Sequence, residues 1–265
     1  MDGRTVTGKI RRRQFIGTAA AGLAAAAPAD QPKNAIFHLV WFYMRTGSQV
    51  ERTTQYLGNV FLPAAKRACV SPAGFFSPVI GERSPYILSI VSYPSFASID
   101  TVHGRFAEDK EYLKGWDEYN NIADPPYIRM ESGLLRAFDG MPAIEVPPTE
   151  GRRAARIFEL RTYESVNEKA SQRKIRMFND GEMGIFRKLG MTPVFFGQGI
   201  VGRNLPSLTY MLAFDDLASR EKLWRAFGSD PEWQKLRIQP GLSDAEIVSN
   251  ISNQVLRPLA SSPIR

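Results

Sequence analysis

A single cysteine, Cys69, stands among 265 residues. That excludes an intramolecular disulfide framework. With no base or motif beside it, Cys69 reads as a small core residue and not as a reactive thiol. Histidine is nearly as scarce. His38 and His103 are far apart in the chain, without the short spacing of a metal site, so neither a metal centre nor an axial haem ligand is expected, and no cofactor is assigned. Phosphate-binding glycine loops, a Gly-x-Ser-x-Gly nucleophile signature and zinc motifs are all missing. A long apolar run is missing too: the alanine-rich stretch 15–27 is too short and too weakly hydrophobic for a span of about 20 residues. No integral membrane segment is therefore expected in the mature chain. The formal charge of +7 concentrates at the start, where Arg4, Lys9, Arg11, Arg12 and Arg13 face Asp2; the rest holds 29 basic and 26 acidic residues, a net +3. That weak excess, with no basic stripe interleaved with aromatics, excludes a nucleic-acid footprint.

What is present begins with an address. The order Arg12-Arg13-Gln14-Phe15-Ile16 resembles the twin-arginine export signal. An alanine-rich run follows, and Ala27-Pro28-Ala29 offers a small-x-small cleavage site. Residues 1–29 read as a signal peptide, which places the mature protein in the periplasm or outside the cell. The alternative is an amphipathic or disordered basic tail. No cysteine follows the apolar run, so it does not resemble a lipoprotein signal.

The chain then matches itself at a shift of 121 residues. Phe37 meets Phe158, Leu39 meets Leu160, Gly81 meets Gly202, Pro85 meets Pro206, and Asp109-Lys-Glu-Tyr112 meets Asp230-Pro-Glu-Trp233. One constant shift implies a tandem duplication. Residues 34–140 form the first copy and 154–264 the second, joined by the Pro- and acid-rich linker 141–153.

Each copy shows the same order of patterns. A strand at 35–44 or 155–164 is followed by a helix, clearest at 168–189. Strands follow at 73–80 or 193–201 and at 86–93 or 207–214. A second helix starts after Ser95 or Asp216, which can cap it, a short helical piece carries Tyr112 or Trp233, and a last strand runs 127–138 or 246–258. The fold class is α+β, with two β-α-β-β-α-β ferredoxin-like units. Such a sheet carries helices on one face only, so two copies can cover each other's bare faces as a barrel closed inside one polypeptide.

Glu159-Leu-Arg-Thr-Tyr163, Leu189-Gly190-Met191, Asp230-Pro-Glu-Trp233 and the tail Val255-Leu-Arg-Pro-Leu-Ala-Ser-Ser-Pro-Ile264 resemble the NIPSNAP family. The resemblance covers 155–264 and is weaker over 34–140, where His38-Leu-Val-Trp-Phe42 stands in for Glu-Leu-Arg-Thr-Tyr. It implies the dimeric α/β-barrel superfamily and no settled reaction.

The strand at 156–164 alternates strictly: Phe158, Leu160 and Thr162 point one way, Glu159, Arg161 and Tyr163 the other. With the apolar face set against the helices, Glu159, Arg161 and Tyr163 would line the barrel interior. Tyr210 and, from the first copy, His38 and Phe42 would join them in a small-molecule site. Arg161 could hold a carboxylate by a forked contact, Glu159 or His38 could take a proton, and the tyrosines could donate to an oxyanion. The bland reading is a structural ion pair with aromatic filling, and a carboxylate beside a guanidinium is a weak base. Three functions stay open: a small-molecule binder, with Arg161, Tyr163, Tyr210 and Phe42 as ligand contacts; a cofactor-independent oxygenase or isomerase using Glu159 or His38; and a structural protein with a filled barrel. Assembly with further copies is left open. Any site should be lopsided, with polar groups mostly from the second copy and an aromatic wall from the first.

Overall fold

The computed structural model describes residues 34–121, 123–150 and 156–265. The leader at 1–29, with its paired arginines, lies outside them, as do residues 151–153 of the linker. The first half runs β1 (Ile36–Tyr43), α1 (Ser48–Tyr56), a π-helical turn (Leu57–Phe61), α2 (Leu62–Arg67), β2 (Ala73–Ile80), β3 (Tyr86–Tyr93), α3 (Phe96–Glu108), α4 (Lys110–Tyr119) and β4 (Arg129–Ala137). The second half repeats the order with one added helical turn, α9: β5 (Ile157–Glu164), α5 (Glu168–Met177), a π-helical turn (Phe178–Glu182), α6 (Met183–Lys188), β6 (Thr192–Val201), β7 (Ser207–Phe214), α7 (Leu217–Ser229), α8 (Pro231–Arg237), α9 (Asp244–Ile247) and β8 (Asn250–Pro258).

The strands close into an antiparallel barrel in the order β1-β3-β2-β8-β5-β7-β6-β4, with β4 returning to β1. The halves are sewn together by β2 with β8 and by β4 with β6, each pairing carrying a β-bulge. β3 and β7 are buried at every residue, whereas β4 and β8 keep exposed positions. One cluster fills the barrel and draws on both halves, with Phe37, Phe76, Phe158, Leu160, Phe195, Met211 and Leu256. Two others lie between each sheet and its own helices. The first-half layer holds Ile36, Phe75, Val91 and Phe106, and the second-half layer holds Tyr163, Phe178, Phe186, Tyr210 and Phe227.

Local chemistry explains the boundaries. Ser95 accepts from the Ser98 N–H at the start of α3, and Asp216 accepts from that of Ser219 at 2.7 Å for α7. Asp109 and Asp230 do the same for α4 and α8. These side chains satisfy N–H groups that the first helical turn leaves free. Tyr112 stacks on Phe106 at 4.7 Å and Trp233 packs on Phe227 at 4.5 Å, so both are packing anchors. Three details differ from expectation. The helix expected unbroken over 168–189 carries a π-helical turn in its middle. The last strand begins at Asn250, because Asp244–Ile247 closes into a helical turn whose capping box links Ser243 and Glu246. Cys69 is exposed at φ 58 just past α2, at a helix terminus and not in the core.

Candidate functional site

The alternation of β5 holds, but its faces are the reverse of the expected ones. Phe158 and Leu160 fill the barrel, while Glu159, Arg161 and Tyr163 face the helices. The cause is volume. A closed barrel shared by two sheets needs large apolar side chains in its centre. The polar face of β5 finds its partners on the helices of its own half.

Those partners make a dense network. Glu159 is fully buried. It accepts from Arg161 Nη1 at 3.1 Å, from Arg220 Nε at 3.0 Å and Nη2 at 2.5 Å, and from Trp224 Nε1 at 2.7 Å. Arg161 also donates to Tyr163 Oη at 3.1 Å, lies 4.6 Å over the Trp224 ring, and leaves its Nε unpaired. Tyr163 and Tyr210 share a hydrogen bond at 3.3 Å. Burial works against the Arg161 charge, but Tyr210, Tyr163 and Glu159 outweigh it and hold its pKa above the ordinary range. Deeper in, Lys174 donates to Glu182 Oε2 and Asp244 Oδ1, each at 3.4 Å. Burial opposes the Lys174 charge, yet those carboxylates raise its pKa. Burial likewise pushes the Glu182 carboxyl up, against the pull of Lys174. The structure thus gathers Glu159, Arg161, Tyr163 and Tyr210 between the second sheet and its helices. His38 and Phe42 take the corresponding places in the first half. Phe42 packs against Tyr127, and burial followed by the charge of His103 lowers the pKa of His38. The expected convergence of both copies on one pocket at these positions does not occur.

The barrel interior holds the open space instead. A cavity of about 380 Å³ lies at the end where β1 and β5 finish. Its first-half wall is aromatic, with Trp41, Tyr43 and Tyr86. Its second-half wall is hydroxyl and amide, with Thr162, Ser207, Thr209, Ser252 and Gln254. Thr162 and Thr209 bond across the strands at 2.9 Å, and Tyr86 donates to Gln254 at 2.7 Å. Burial raises the pKa of Tyr86; burial and then the Glu131 charge raise that of Tyr43. Both phenols keep their protons at neutral pH. The indole N–H of Trp41 is buried and has no hydrogen-bond partner. An unpaired buried donor is costly, so it is a feature to be explained. On the rim, Glu131 meets Arg83 at 3.2 Å, Arg203 at 3.0 Å and Arg129 at 3.5 Å. The lining holds no histidine.

These residues escaped the sequence reading because the other face of each strand was assigned to the barrel. A signal was present. The inward positions turn from apolar to polar toward one end: Phe158, Leu160, Thr162 on β5; Ala213, Met211, Thr209, Ser207 on β7; Leu256, Gln254, Ser252 on β8. A second depression of about 430 Å³ lies on the outer surface beside α2 and α3. There Arg67 pairs with Asp109 and Glu111, and Arg105 donates to the Ala68 carbonyl. Among the described residues no group of three or more His, Cys, Asp or Glu is placed to hold a metal ion, and no helix is long and apolar enough to cross a membrane.

Fold and cavity together define an α/β barrel of the dimeric type, closed within one chain. Residues 158–263 match the model of the NIPSNAP family, so that similarity covers the second half. No curated protein matches the chain. Among solved structures, a candidate monooxygenase from Lactobacillus acidophilus is similar over 85% of this chain and 94% of its own, with 9% identity and a TM-score of 0.57. An anthrone oxidase-like protein is similar over 85% and 91%, with 11% identity and a TM-score of 0.52. These are likenesses of fold. A NIPSNAP family protein from Agrobacterium tumefaciens aligns with 43% of this chain and 97% of its own, at 20% identity and a TM-score of 0.38.

Proposed function

We propose that this chain is an exported binding protein that holds a small organic molecule in the mouth of a barrel built from two tandem copies of one ferredoxin-like unit. The observation that carries the reading is the 380 Å³ cavity, with the rings of Trp41, Tyr43 and Tyr86 facing the hydroxyls and amides of Thr162, Thr209, Ser252 and Gln254. That volume falls in the range of small-molecule sites, and an apolar wall facing a few polar groups is their usual makeup. The lopsided lining supports a site formed between the two copies, as does the recurrence of β5, α7, β7 and β8 121 residues after β1, α3, β3 and β4. Binding is favoured over catalysis because Glu131, the sheltered carboxylate of the cavity, is already engaged by three arginines. Export rests on the Arg12-Arg13-Gln14-Phe15-Ile16 order and the alanine-rich run after it.

The test uses the uncharged fluorophore N-phenyl-1-naphthylamine, which brightens in apolar surroundings. The wild-type protein should enhance it saturably. Ser252→Trp, which fills the cavity from its second-half wall, should abolish the gain while leaving the melting temperature close to that of wild type. Equal enhancement by both proteins would refute a ligand site in the barrel.

A further inference from the structure

We propose that the ligand is an organic acid whose anionic group is held by Arg83 and Arg203, and that Glu131 occupies that group's place in the ligand-free protein. The proposal rests on the cavity reading above and assigns the chemical class of its occupant. Arg83 comes from the turn between β2 and β3, and Arg203 from the turn between β6 and β7, one from each half. Both line the cavity, and both point a guanidinium at the same oxygen, Glu131 Oε1. Arg129 reaches that oxygen too, at 3.5 Å. Three cations therefore share one carboxylate. Glu82, the other rim carboxylate, is exposed and pairs with none of them. The lining itself holds two arginines and two carboxylates, and Arg129 beside it adds a third cation around Glu131.

The guanidinium fork is built for carboxylate, sulfonate or phosphate oxygens, and two forks from opposite turns can clamp one such group. Half of each arginine side chain is open to solvent, so both can turn toward an incoming anion. Below the clamp lie the rings of Tyr43, Tyr86 and Trp41, which suit a flat apolar body. The arrangement describes an aromatic acid with its charge at the mouth and its ring inside.

A matched pair of probes tests the charge. 8-Anilinonaphthalene-1-sulfonate shares the ring system of N-phenyl-1-naphthylamine and adds one sulfonate. The wild-type protein should bind the sulfonate about tenfold or more tightly than the neutral amine. Arg83→Ala with Arg203→Ala should remove that preference and keep the neutral probe's affinity. Glu131→Gln should strengthen sulfonate binding several-fold, because it removes the internal competitor, and should leave the neutral probe unchanged. If sulfonate and amine bind equally in all three proteins while Ser252→Trp blocks both, the acid assignment fails and the cavity reading stands. If neither probe binds the wild type, or Ser252→Trp binds both unchanged, the cavity reading fails and the acid assignment falls with it.

Discussion

The substitution Glu159→Gln separates the two polar regions of this protein. Glu159 is fully buried and accepts four hydrogen bonds, from Arg161, from Arg220 twice and from Trp224. The amide keeps the shape but loses the charge, and its NH2 meets donors. Two guanidinium groups are left facing a neutral group, and the Arg161 side chain is only 13% exposed. Removing one member of a buried ion pair costs about 3–5 kcal/mol. Arg220 is a quarter exposed and can turn partly to water, which favours the lower end, about 3 kcal/mol. A domain of this size loses about 2–4 °C of melting temperature per kcal/mol, so the expected drop is about 6–12 °C. The comparison is Glu145→Gln, which breaks the half-exposed pair of Glu145 with Arg187 and should cost no more than about 1 kcal/mol. Thermal melts by circular dichroism read both. Below its melting range, Glu159→Gln should bind N-phenyl-1-naphthylamine with wild-type affinity, because Glu159 faces the helices and not the cavity. A melting temperature within 3 °C or so of the Glu145→Gln protein would refute the buried-network reading. Loss of probe binding in a folded Glu159→Gln protein would move the ligand site to the helix side.

Two further outcomes follow from the same structure. His38 has a folded-state pKa below its ordinary 6.5, through burial and then the facing His103, so its neutral form is favoured in the fold. The unfolded chain takes up that proton first as pH falls, so this contribution to stability is complete above pH 6.5 and is lost as pH drops below it. Melting temperature should therefore fall more steeply between pH 7 and about 5 for wild type than for His38→Gln, and parallel curves would contradict the assignment. For the leader, Arg12→Lys with Arg13→Lys should leave the full-length precursor in the cytoplasm, read by fractionation and immunoblot; undiminished export would refute the twin-arginine reading.

Much of the architecture was legible in the chain. The 121-residue shift, the two-residue alternation of β5, the capping residues Ser95 and Asp216, and the paired anchors Tyr112 and Trp233 all act within a few residues or repeat at a fixed interval. Local propensity and periodicity report such features directly. The site was legible only in its asymmetry. An aromatic first-half wall and a polar second-half wall were expected, and the cavity has both, but on Trp41, Tyr43 and Tyr86 and on Thr162, Thr209 and Gln254. Arg161, Tyr163, Tyr210 and Glu159 cluster as expected and then turn out to face away from it. No residue of β1 or β5 is exposed and β3 and β7 are buried throughout, so in these strands the usual contrast of greasy inside and polar outside disappears.

By itself, then, the sequence determined the element order and the grouping of side chains into faces, because a strand's alternation is fixed by its backbone. Only the tertiary structure decided which face each strand turns inward. That choice depends on how eight strands spread from Ile36 to Pro258 share one closed volume. Phe37, Phe76, Phe158 and Phe195 fill that volume at one end, and Glu159 could be buried only where α7 brings Arg220 and Trp224 to meet it. Volume and charge compensation are properties of the assembled barrel, and no single strand carries them.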